Sequence, residues 1–110
     1  MTRLELITLI GDLIERLTVL AGSMMPDDPR RPELDDLLER LDAQQLQLAK
    51  TQFDENTASF KQATAALKEI NIQLKATLDD VNALVETIAN LKRFVSAVND
   101  IIGAALPLVV

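Results

Sequence analysis

The chemistry open to this chain is narrow, because its 110 residues include no His, Cys, Tyr or Trp. Without imidazole or thiolate there is no Ser–His or Cys–His nucleophile pair, no zinc site of the usual donor set, no Fe–S cluster and no His-based di-iron site. Carboxylates, amines, guanidinia and hydroxyls remain. Ser23, Ser59 and Ser96 have no base at a spacing that would position it, and no Gly-rich phosphate cradle occurs. Asp27 and Asp28 are adjacent, but neither a calcium-loop pattern nor an inward pair of acids on an apolar face is present. The expectation is a protein with no catalytic residues, no metal site and no cofactor, and hence not an enzyme.

Residues that could recognise a partner are more plentiful. Lys61, Lys68 and Lys75 recur every seven residues and would form a basic line along one edge of a helix. Most such lines are solvated faces; the functional alternative is contact with acidic surface, either anionic headgroups or the Asp35, Asp36, Glu39 and Asp42 cluster of another subunit. Asn56 falls at a core-type position, where a buried amide would fix register, although a loosened, solvent-facing joint is the blander reading. Nucleic acid is disfavoured by the net charge of −6 and by the lack of basic runs interleaved with aromatics.

The largest candidate surface is apolar. Leu78, Leu84, Val85, Ile88, Leu91, Phe94, Val95, Val98, Ile101, Ile102 and Leu106 widen a heptad stripe to three or four positions per repeat, more than a two-stranded seam can cover. This surface predicts a homo-oligomer or a helical protein partner.

The elements that would carry these residues are helices. Ile7, Ile10, Ile14, Leu17 and Ala21 recur at steps of three and four, predicting a helix over about 3–21. Gly22, placed for a left-handed cap, and Pro26, Pro29 and Pro32 end it, so 22–32 reads as a connecting loop. From Glu33 no Pro intervenes before Pro107, and no Gly before Gly103. With Leu46 at a heptad a position, Phe53, Phe60, Leu67, Leu74, Val81, Ile88, Val95 and Ile102 occupy the following ones. This regularity favours one long helix over 33–105, about 110 Å at 1.5 Å per residue, with possible bends near 42–45, 53–59 and 77–80. Breaking at the last two places would instead give four helices of about 20 residues.

The fold expectation is one all-α domain over 1–110: a helical hairpin with a short first arm and a long second arm, straight or bent at the places named, forming an oligomeric coiled coil or helical bundle. The expected function is a non-enzymatic interaction or oligomerisation module acting through apolar helix faces. The alternative is a membrane- or lipid-surface-active helical protein, making peripheral contact through the C-terminal half. Against it stand the acidic balance, the lack of Trp and Tyr anchors, and Asn99 and Asp100 within the apolar stretch. Glu5, Asp12 and Glu15 argue against a secretory leader, and the absence of Cys gives no support for secretion, so cytoplasm is the default expectation.

Overall fold

Breaks replace the long helix expected over 33–105. The computed structural model describes residues 1–79, 84–104 and 106–107, with the side chains at 76–79 and 106–107 outside that description. The chain is all-α: α1 spans Arg3–Ser23, α2 Arg31–Ala49, α3 Ala58–Asp79 and α4 Leu84–Ala104. Two short extended pieces, β1 (Thr51–Gln52) and β2 (Leu106–Pro107), pair antiparallel, Thr51 opposite Pro107 and Gln52 opposite Leu106. The molecule measures 44 × 22 × 18 Å, well short of the length a continuous second arm would have.

Local chemistry explains each helix end. The Thr2 hydroxyl caps α1, accepting from the Glu5 N–H at 3.2 Å and donating to the Glu5 carboxylate. Gly22 is not a left-handed cap: no glycine among the described residues has positive φ, and α1 runs on to Ser23 before the Met24 N–H bonds the Ala21 carbonyl. Pro32 sits in the first turn of α2, where its missing N–H costs nothing.

The break between α2 and α3 is made by residues that are poor helix formers. The Asp54 carboxylate accepts from the Asn56 N–H at 2.8 Å, and the Thr57 hydroxyl accepts from the Phe60 N–H at 3.2 Å, capping α3. Short polar side chains here satisfy the backbone better in a turn than in a helix. The heptad register crosses this segment only as sequence. α2 runs through 42–45 without a break. One buried face continues through it: Leu34, Leu37, Leu41, Gln44 and Leu48 point inward at steps of three and four, and Leu46, the expected heptad a position, is 61% exposed.

Helices α3 and α4 run antiparallel. The Asn90 side-chain amide donates to the Gln73 carbonyl oxygen at 2.5 Å, whereas 17 residues of unbroken helix would hold them about 25 Å apart. Residues 80–83 lie outside the described residues, as does part of the expected 77–80 bend. α1 packs on α2, α2 on α4, and α3 on α4, about one apolar core. Phe60, Leu67 and Leu74 from α3 meet Leu84, Ile88, Leu91 and Val95 from α4 in that core. The heptad phase thus holds within α3 and α4, as expected of paired helices.

Candidate interaction surface

Most of the apolar stripe assigned to partners is used up inside the chain. Leu84, Ile88, Leu91, Phe94, Val95, Val98 and Ile101 are buried, Ile102 is half-buried, and only Val85, at 63% exposure, faces solvent. The Leu78 and Leu106 side chains lie outside the described residues. The physical reason is the break at 50–57, which brings α2 and α3 onto the wide face of α4 and covers it with the chain's own leucines. Asn56 is not in a helix; it is exposed in the α2–α3 turn and cannot set a helical register.

Lys61, Lys68 and Lys75 are exposed along α3 and make no ion pair among the described residues. The acids of α2 are also exposed. Asp36 pairs with Arg40 at 3.0 Å and Asp35 lies 4.0 Å from Arg31, whereas Glu39 and Asp42 have no ionic partner among the described residues. Such pairs one helical turn apart add little stability. The chain thus does not bring the basic line and the acidic cluster together.

One open feature among the described residues is a groove of about 630 Å³ on the outer side of the α3–α4 pair, lined by Ala65, Ala66, Ser96 and Ala97 with Gln62, Glu69, Asn90, Lys92, Arg93 and Asp100. A shallower extension continues past Gln73, Glu86 and Ala89. Small side chains form its floor, so a docking helix could approach closely. Helical spacing puts Ile72 on the same face, seven residues from Ala65, and Val85 four residues from Ala89. Both are more than 60% exposed.

Two residues that matter structurally were not singled out by sequence. Gln44, only 6% exposed, joins α2 to α4: its amide nitrogen donates to the Val95 carbonyl at 2.9 Å and to Asn99 Oδ1 at 2.8 Å, and its own Oε1 has no partner. Its signal was a polar residue in phase with Leu37, Leu41 and Leu48. Arg3 closes the other end of α2. Its guanidinium donates to the Leu48, Ala49 and Thr51 carbonyls at 3.1, 3.2 and 2.9 Å and lies 5.8 Å from the Phe53 ring. A cation is favoured there by the helix dipole and by carbonyls that lack helical partners. Nothing in the local sequence of Arg3 reveals a contact 45 to 48 residues away.

In the α1–α2 loop, the Asp28 carboxylate accepts from the Arg30 guanidinium at 3.0 and 3.1 Å and from the Arg30 N–H at 2.9 Å. These bonds hold the Asp28 carboxyl below its ordinary range and raise Arg30. Met24 is buried against the core and Met25 is exposed. Among the described residues no group of acids could hold a metal ion, and no helix is long and apolar enough to cross a membrane. No protein-family model, curated protein or solved structure matches the chain.

Proposed function

We propose that the protein is a non-enzymatic interaction module that receives an amphipathic helix in the groove between α3 and α4. The carrying observation is the contrast between a core closed by the chain's own residues and an open, small-residue groove flanked by exposed Ile72 and Val85. Two parallel walls with an alanine floor suit a helix laid lengthwise, with anchors spaced by turns. The polar groups on the walls are donors and acceptors without an arrangement for bond making. Oligomerisation through helix faces, expected from the heptads, then belongs to this outer face, not to the apolar stripe of α4.

The test places a photo-reactive phenylalanine analogue at Ala65, in the groove, or at exposed Arg16 on α1 as the control, in cells expressing the whole chain. The expected result is a discrete cross-linked protein from position 65 and none from position 16. No adduct at 65, or the same adducts from both positions, would refute the reading.

A further inference from the structure

We infer that the helix received by the groove is α4 of a second copy of this chain, laid antiparallel to its counterpart in a closed two-fold dimer; this rests on the groove being the working face. The inference comes from charges on the groove's own lining. Arg93 and Asp100 both line it, both are exposed, and neither makes an ion pair among the described residues. They stand seven residues apart on one face of α4, with opposite signs. Midway between them lie Ser96 and Ala97, on the groove floor. A two-fold axis through that midpoint, at right angles to α4, carries each charge onto the place of the other. Arg93 then meets Asp100 of the second copy, and Asp100 meets its Arg93.

The same register brings small residues together. Ala89, Ser96 and Gly103 recur every seven residues on the exposed ridge that also carries Arg93 and Asp100. Under the two-fold, Ala89 lies opposite Ala104, Ser96 opposite Ala97, and Gly103 opposite Asn90. A Cβ built on Gly103 would meet nothing within 4 Å in its own chain, so that place is open to a neighbour. Helix axes can then approach to the short end of the usual packing range, about 8 Å. The incoming α4 sinks between the walls and reaches Ala65 on α3. Glu69 shares the lining with Arg93 and opposes part of the attraction for the incoming Asp100.

Symmetry is what selects a second copy as the occupant. An unrelated helix would have to carry both charges at this spacing and in the reverse order, whereas a second α4 presents them by the two-fold alone. Because the same surface serves both molecules, the contact is isologous and closes at two. The ridge from Ala89 to Gly103 is only about 21 Å long. Its area falls below a standard interface, so the dimer is weak and reversible.

Charge reversal tests it in the full chain, with folding checked by circular dichroism. By light scattering up to about 1 mM, the wild-type mass should rise with concentration from the 12.1 kDa monomer toward twice that value and no further. Arg93→Glu sets acids face to face at both reciprocal contacts, and Asp100→Arg sets guanidinia face to face. Each alone should weaken association at least about tenfold. In an equimolar mixture each variant meets opposite charges at both contacts, so dimers should return. The double variant R93E/D100R should dimerise by itself for the same reason. A wild type that stays monomeric, growth beyond the dimer, or single variants that do not recover on mixing would overturn the proposal. The cross-link from position 65 separates this failure from that of the interaction reading. An adduct of twice the chain mass supports the dimer, an adduct with another protein overturns it and leaves only the module, and no adduct removes both.

Discussion

Gly11 offers a sharp test of how α1 lies on α2. A Cβ added there would stand 2.8 Å from Gln45 Nε2, whose amide donates to the Ile7 carbonyl at 3.2 Å. Replacing Gly11 by Ala in a helix interior should stabilise by about 1 kcal/mol through lower unfolded-state entropy. Against this, the Gln45 amide must swing away and lose a part-buried hydrogen bond, a cost of about 1 kcal/mol. The two effects cancel, so Gly11→Ala alone should leave stability within about 0.5 kcal/mol of wild type. Gln45→Ala alone should destabilise by about 1 kcal/mol, and Gly11→Ala added to it should recover about the same amount. With an unfolding entropy of about 0.23 kcal/mol/K for 110 residues, each such step moves Tm by about 4 °C. The cycle is read by urea unfolding followed by circular dichroism. Additive effects, with Gly11→Ala stabilising equally in both backgrounds, would show that Gln45 does not cover Gly11 and refute the packing argument.

Three further outcomes follow from contacts described above. Arg3→Met keeps most of the stem but removes the guanidinium from three carbonyls, and should lower stability by about 2 kcal/mol in thermal melts; an unchanged Tm would mean that water serves α2 equally well. Gln44→Leu removes a buried oxygen without a partner while leaving Asn99 open to solvent, so it should equal or exceed wild type by up to about 1 kcal/mol in urea unfolding. A loss of more than about 1 kcal/mol would show that the two donated bonds outweigh the orphaned oxygen. Asp28 is depressed in the folded state, so its stabilising effect is fully present above the ordinary carboxylate pKa of about 3.9 and is lost as pH falls through its own lower value. Carbon-detected titration of Asp28 should show this low value, and Arg30→Gln should raise it toward the ordinary range, with the bond from the residue-30 N–H left in place.

The sequence made the helical class legible and part of the core with it: Ile10, Leu17 and Ala21 of the expected stripe are buried in α1, whereas Ile7 and Ile14 are half-buried and Leu6 and Leu13 take the inward positions. It misled on continuity. A heptad phase that persists from Phe53 to Ile102 looks like one rod, yet a hairpin of equal helices preserves the same phase on both arms. The deciding information was local: Asp54, Asn56 and Thr57 offered the backbone turn bonds that outcompeted one more helical turn. For the outer surface, Lys61 and Lys68 were visible as a line. The outward ridge of α4, with Arg93, Ser96 and Asp100 together on it, could be recognised only once the inward face of α4 was known. Distant polar contacts such as those of Arg3 and Gln44 have no periodic trace, since each joins single residues across about half the chain.

The Gln44 clasp also bears on the order in which the chain assembles. Each antiparallel pair, α1 with α2 and α3 with α4, joins helices that follow one another directly, so each closes a short loop and can form early. Joining α2 to α4 instead requires residues 51 to 55 positions apart to meet, as Gln44 does with Val95 and Asn99. That closure carries the larger entropic barrier and is expected late, with few contacts formed at the transition state. Substitutions at the α2–α4 seam should therefore act mainly on the unfolding rate, whereas those within either helical pair should slow folding. The α2–α4 seam thus governs how long the native state lasts more than how quickly it is reached.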